Sequence, residues 1–217
     1  GRNLRTYAEF RVREGERVPF VLTWFPSHGE LPEPVDAERA LADTLGYWEE
    51  WAGNCTTEGR WSEAVVRSLL TLKALTYAPT GGIVAAATTS LPEALGGVRN
   101  WDYRYCWLRD ATLTLLAFLR AGYMEEAQAW RDWLLRAIAG SPEDVQVMYS
   151  VAGERRLTEI ELPWLSGYEG SQPVRIGNAA SDQLQLDVYG EVIDALHLAR
   201  TRGLHASDDA WALLRAV

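Results

Sequence analysis

Aromatic side chains occupy every second position from Trp101 to Trp107, and an adjacent Arg109-Asp110 pair follows them. Because side chains alternate between the two faces of an extended backbone, all four rings would lie on one face. Aromatic rings stack on the apolar face of a sugar, a guanidinium donates hydrogen bonds to hydroxyl groups, and a carboxylate accepts them. The segment is therefore a candidate sugar-binding wall at the beginning of a helix.

The same pattern also has a purely structural explanation. Four aromatic residues on one face of a strand often form part of a buried core. An Arg-Asp pair near a helix N-terminus can also act in capping, through hydrogen bonds and the helix dipole. The residue types alone leave both explanations open.

Three segments of the chain resemble segments of one enzyme family. The run 100–110 is similar to the signature Tyr-x-Tyr-x-Trp-x-Arg-Asp of the glucoamylase family of glycoside hydrolases. In the enzymes of that family, this signature lies at the start of an inner helix. The runs 81–93 and 166–191 are similar to segments of bacterial members and occur in the same order. The chain thus resembles the bacterial glucoamylase/trehalase-like branch over roughly 78–200.

The resemblance implies a mainly α fold, the first half of an (α/α)6 toroid of helical hairpins, preceded by a β-sandwich. Residues 1–27 are predicted to end that sandwich with its last hairpin, 28–35 to form a linker, and 36–217 to form the first half of the catalytic domain. The chain is expected to be truncated at its C-terminus, and its true N-terminus to lie upstream.

Periodicity predicts the individual elements. Strands are expected over 4–13 and 18–25 around a turn at 14–16, and extended segments over 83–90 and 145–151, the latter paired with 156–161. Apolar residues at three- and four-residue steps predict helices over 36–53, 62–77, 108–121, 124–139 and 182–201, with another starting at Ser207.

Residue roles follow from the resemblance, position by position. Arg109 and Asp110 are expected to bind hydroxyl groups of the terminal, non-reducing glucose. Tyr103 and Trp107 are expected to shape this first subsite and to stack on the sugar.

Four further residues are less specific candidates for the site. Asn178 and Asp187 are expected to line the same pocket, and Trp101 and Tyr168 to lie at its rim. For Asp187, a place on the exposed face of a helix fits the sequence about equally well. Asp102 is expected to stabilise the turn before the aromatic strand.

An inverting glycosidase needs two carboxyl groups with room for a water between them, one acting as acid and one as base. The resemblance places both beyond residue 217, so no catalytic residue is predicted here and the chain alone is expected to be inactive. Glu161, Glu169 and Glu191 lie in or near the second matching region, but none occupies the family position of the acid.

The leading functional hypothesis is an inverting, exo-acting α-glucoside hydrolase of glucoamylase type, which releases glucose from non-reducing ends. A trehalase of the same family is the nearest alternative. A hypothesis of another class is a non-catalytic carbohydrate-binding or structural module that kept the first subsite.

Composition narrows the possible partners. A net charge of −9 argues against binding to nucleic acid, and no apolar stretch is long enough to span a membrane. Two cysteines indicate free thiols and a cytoplasmic location rather than a disulfide framework. Neither a metal site nor a cofactor is predicted, since the three histidines show no ligand spacing. A small neutral carbohydrate remains the expected partner.

Overall fold

The computed structural model describes residues 6–138, 145–204 and 208–216. These residues are mainly helical and fall into two units, Gly1–Trp51 and Ala52–Val217. Within them, no helix is long and apolar enough to cross a membrane. The α-helices are α1 (Ala37–Gly53), α2 (Ser62–Ala74), α3 (Leu108–Arg120), α4 (Met124–Ile138), α5 (Asp187–Thr201) and α6 (Asp208–Ala216).

The first unit contains the predicted turn but not the predicted strands. The Glu16 N–H donates to the Arg13 carbonyl at 3.0 Å, and the rings of Phe10 and Phe20 lie 5.3 Å apart. No residue of 6–25 is in a strand, so the prediction of two strands is wrong for these residues; residues 4 and 5 lie outside the described ones. A two-stranded hairpin is marginal without further strands, and Phe20 is largely exposed.

Helix α1 confirms the helix predicted over 36–53. Asp36 precedes it, and its side-chain Oδ1 accepts a hydrogen bond from the Arg39 N–H at 3.1 Å. This bond satisfies one of the N–H groups that have no partner in the first turn of a helix.

Helix α3 is the central helix of the second unit. Leu108, Leu115 and Phe118 recur at helical spacing on it and are fully buried. This face packs against α5 and α4, and α4 and α5 also contact each other. The three helices therefore enclose the core that holds the beginning of α3 in place.

Two predicted helices are shorter than expected. Helix α2 ends at Ala74 because the chain continues into strand β1 (Thr76–Tyr77), which pairs with β2 (Gly82–Ile83). Helix α5 begins only at Asp187, since the chain before it forms a 3-10 helix over Ala179–Asp182. The predicted start of α6 at Ser207 and the predicted end of α4 at Ala139 lie outside the described residues.

Strand pairing differs from the prediction. Strand β3 (Cys106–Trp107) pairs antiparallel with β4 (Met148–Tyr149), and β5 (Ile160–Glu161) pairs with β6 (Arg175–Ile176). The predicted pairing of 145–151 with 156–161 is therefore wrong. Pairing with β3 leaves both residues of β4 fully buried, whereas both residues of β5 are exposed.

Candidate functional site

A cleft of about 440 Å³ lies between the aromatic segment and the chain that precedes α5. Its volume is in the range of pockets that bind small molecules. Three of the four predicted aromatic residues contribute to its walls. The lining residues are Trp101, Tyr103, Trp107, Glu159, Asn178, Ala179, Ala180 and Gln183.

The aromatic wall is partly cleft and partly core. The rings of Tyr103 and Trp107 lie 6.0 Å apart, and Trp107 packs against a buried cluster that includes Val147 and Met148. Tyr105 packs against the same cluster and does not line the cleft. The run therefore contributes both to the wall of a cleft and to the core, and its binding of a sugar stays a prediction.

Trp107 also holds an unused hydrogen-bond donor. Its indole Nε1 is buried and has no partner among the described residues. Leaving a buried donor unpaired costs free energy, so such a group in a cleft wall is a candidate contact for a ligand.

Trp101 is held by a cation over its ring. The Arg175 guanidinium carbon lies 4.7 Å from the centre of the indole ring. Arg175 also pairs with the carboxylates of Glu159 at 3.3 Å and Glu161 at 3.2 Å. These contacts hold the ring as part of the wall.

Asp102 joins the two sides of the cleft. Its fully buried carboxylate accepts two hydrogen bonds from the Arg104 guanidinium, both at 2.8 Å, and one from the Gly177 N–H at 3.1 Å. The Arg104 N–H also donates to it, at 3.2 Å, which is the turn contact expected from the sequence. Asp102 therefore fixes the aromatic segment relative to the chain that begins at Gly177.

Asn178 lines the cleft as predicted, but both ends of its amide are engaged by the protein. Its Nδ2 donates to the Asp102 carbonyl, and its Oδ1 accepts from the Ala180 N–H, both at 3.0 Å. The second bond caps the 3-10 helix Ala179–Asp182. The Asn178 amide thus shapes the wall through these two bonds.

Arg109, Asp110 and Asp187 form an ion-pair cluster where α3 and α5 begin. Arg109 Nη1 lies 3.0 Å from Asp187 Oδ2, and Arg109 Nε lies 3.7 Å from Asp110 Oδ1. Among the described residues, no backbone N–H donates to the Asp110 carboxylate, so hydrogen-bonded capping of α3 does not explain it. All three side chains are about half exposed and available to a ligand.

Charges connect this cluster to the aromatic wall. Burial raises the pKa of Asp110, and Arg109 lowers it. The pKa of Tyr103 is raised by burial and then by the charges of Glu93 and Asp110. A second connection runs through side-chain amides, because Arg109 donates to Gln185 at 3.4 Å and Gln185 to the cleft residue Gln183 at 3.0 Å.

The remaining candidates lie elsewhere. Tyr168 and Glu169 are exposed on the short 3-10 helix Tyr168–Gly170, and neither lines the cleft. Glu161 is exposed on β5. Glu191 lies on α5, where burial and then the charges of Asp187 and Asp194 raise its pKa.

Comparison with known proteins identifies the family. Residues 59–217, which include every residue of the cleft, match the model of glycosyl hydrolases family 15. The chain belongs to this family. The predicted membership of the glucoamylase family is confirmed.

Relatives of this family 15 chain include several enzymes named trehalase. The chain is 40% identical over 222 residues to the trehalase of Mycolicibacterium smegmatis, covering 99% of the chain and 32% of that protein. It is 43% identical over 184 residues to the trehalase of Thermoplasma acidophilum, covering 85% of the chain and 31% of that protein. The chain spans about a third of the length of the curated relatives it matches. No solved structure gives a significant match.

Two polar residues that line the cleft were not predicted from the sequence. Glu159 and Gln183 both line the cleft, yet neither belongs to the aromatic run, and Glu159 fell inside the predicted extended segment 156–161. Gln183 fell inside a predicted helix that instead begins at Asp187. Glu159 lies directly before β5, which pairs with β6, and Gln183 directly after the 3-10 helix Ala179–Asp182, so both reach the site through a strand pairing and a helix that periodicity did not predict.

Proposed function

We propose that this chain is part of an α-glucoside hydrolase that acts on trehalose, with Tyr103 and Trp107 of the cleft and the Arg109 cluster binding one glucose unit. The observation that carries the proposal is the 40% identity to a trehalase over 99% of the chain, which extends through all cleft residues. Trehalase, the alternative in the sequence analysis, thereby replaces the glucoamylase-type hydrolase as the leading hypothesis. Hydrolysis of other α-glucosides is the second candidate, supported by the family match alone.

The first glucose would contact both aromatic rings and hydrogen-bonding groups, the two kinds of contact by which proteins bind sugars. Tyr103 and Trp107 supply aromatic rings to the cleft wall, and the unpaired Trp107 N–H would be a donor for a hydroxyl group. Arg109 supplies further donors and Asp110 supplies acceptors. Asp187 orients Arg109 through their 3.0 Å ion pair.

The catalytic acid and base belong, in this proposal, to the part of the enzyme beyond residue 217. An inverting reaction places a water between the base and the anomeric carbon, while the acid protonates the departing oxygen. With trehalose, attack at one anomeric carbon gives β-glucose, and the departing half leaves as α-glucose. The helices described here would form the first half of an (α/α)6 toroid after a β-sandwich, as the resemblance implies.

Full-length protein assayed on trehalose, maltose and isomaltose under one condition tests this proposal. The expected result is the highest kcat/KM on trehalose, with equal α- and β-glucose in the first turnovers by proton NMR. Turnover of maltose without trehalose would favour the glucoamylase-type enzyme. Sugar binding without any hydrolysis would favour the non-catalytic module.

A further inference from the structure

The cleft contains a carboxylate that the proposed function leaves without a role. Glu159 precedes β5, lines the cleft and is 22% exposed. Its Oε1 lies 3.3 Å from Arg175 Nε, and its Oε2 accepts the Ala179 N–H at 3.2 Å. Because each carboxylate oxygen can accept two hydrogen bonds, both oxygens keep capacity for a ligand.

The protein holds this carboxylate in a fixed position. Its partner Arg175 is only 12% exposed and donates from Nη1 to the Val98 carbonyl at 3.0 Å. The Arg175 guanidinium also stacks on Trp101 and pairs with Glu161. An acceptor restrained in this way loses little conformational freedom when a ligand binds.

Glu159 lines the cleft, whereas Arg109, Asp110 and Asp187 lie outside its lining, at the beginnings of α3 and α5. The cluster is linked to the cleft residue Gln183 by two hydrogen bonds, from Arg109 to Gln185 and from Gln185 to Gln183. Glu159 is held instead by Arg175, which also lies over the Trp101 ring, and by Ala179. A sugar bound against the Arg109 cluster would leave the cleft residues Trp101 and Glu159 available to the next unit of the substrate.

We propose that Glu159 determines specificity by accepting a hydrogen bond from a hydroxyl group of the second sugar unit, the one that departs in the reaction. The inference rests on the proposed function and adds to it the residue that recognises the departing sugar. An aglycone without hydroxyl groups would gain nothing from this carboxylate.

The test compares two substrates in the full-length enzyme. Trehalose carries the second sugar, whereas α-glucosyl fluoride has the same glucosyl group with fluoride in its place. Glu159→Gln should lower the ratio of kcat/KM on trehalose to kcat/KM on α-glucosyl fluoride about tenfold, the loss typical of one charge-assisted hydrogen bond. A merely structural role would lower both values together and leave the ratio intact.

Glu161→Gln is the matched control. Glu161 pairs with the same guanidinium at 3.2 Å, but it is 60% exposed and does not line the cleft. Its substitution should change the ratio less than about threefold. If Glu159→Gln does not accumulate as folded protein, Glu159→Asp, which keeps the charge but moves it by one methylene, provides the same comparison.

Each outcome decides between the claims. A ratio that falls in the Glu159 variant and not in the Glu161 variant supports the inference. An unchanged ratio in the Glu159 variant, or an equal fall in both variants, overturns it while the proposed function stands. Hydrolysis of neither substrate by the unmodified enzyme overturns the proposed function and the inference with it.

Discussion

Arg109 and Asp187 join the beginnings of two helices through an ion pair of 3.0 Å between Nη1 and Oδ2. The two residues are 78 positions apart, and both side chains are nearly half exposed. Exposed ion pairs contribute about 0–1 kcal/mol to stability, so this one does little to hold the fold. We infer that it orients the Arg109 guanidinium toward the substrate.

Arg109→Lys and Asp187→Asn should therefore have non-additive effects on activity. Each substitution alone is expected to lower kcat/KM on the preferred substrate about tenfold, because lysine lacks the planar fork and an unpaired Arg109 loses its orientation. The double variant should lose little more than either single variant, since both changes remove the same interaction. Kinetics of all four proteins measure this, and a hundredfold loss in the double variant would show that the residues act independently.

Asp102 should matter for stability more than any exposed acid of the chain. Asp102→Ala removes a buried carboxylate that accepts hydrogen bonds from Arg104 and Gly177, so the free energy of unfolding should fall by about 3 kcal/mol. Asp43→Ala is the control, because the Asp43–Arg39 pair is 3.6 Å long and exposed on α1. Its substitution should cost less than about 0.5 kcal/mol. Chemical denaturation of the two variants provides both values, and similar losses would contradict the role given to Asp102.

Cys106 should resist alkylation in the folded protein. Burial raises the pKa of its thiol to about 12, so only roughly one thiol in ten thousand is ionised at pH 8. Cys55 is partly exposed and should react first. Mass spectrometry after brief iodoacetamide treatment at pH 8 distinguishes the two peptides. Labelling of Cys106 at the rate of Cys55 without denaturant would contradict the burial described here.

The sequence predicts the helices of this chain well because their apolar residues recur along one face. The spacing of Leu108, Leu115 and Phe118 is enough to predict α3, because it is a local pattern that does not depend on contacts with distant residues. The aromatic-Arg-Asp run likewise marks much of the candidate site, since its residues are neighbours in sequence. Family membership follows from the same run and is confirmed by the match over 59–217.

What the sequence could not predict depends on contacts between distant residues. The partner of Met148–Tyr149 is Cys106–Trp107 rather than the nearby 156–161, and both of these paired strands are buried. Glu159, beside β5, and Gln183, at the end of the 3-10 helix Ala179–Asp182, line the same cleft although they are distant in sequence, and local periodicity carries no signal for that. The strands predicted over 4–13 and 18–25 failed for the same reason. Alternating apolar residues do not form a strand without neighbouring strands to pair with, and residues 6–25 contain none.

Asp110→Asn tests most directly whether the Arg109 cluster binds substrate. Burial holds the pKa of Asp110 above its ordinary value of 3.8, so the ionised carboxylate opposes folding at neutral pH. This cost is absent below that value and grows as the pH rises through the raised pKa. An amide carries no charge, so at pH 7 the variant should melt at the same temperature as the unmodified protein or higher, and any gain should vanish toward pH 4.

The decisive measurement is kcat/KM and Tm of full-length Asp110→Asn at pH 7, beside the unmodified enzyme. We predict a loss of at least about tenfold in kcat/KM on the preferred α-glucoside, because one charge-assisted hydrogen bond to the sugar is lost, with Tm unchanged or raised. A lowered Tm with kcat/KM within about threefold of the unmodified enzyme would make Asp110 a structural residue and contradict a sugar-binding Arg109 cluster.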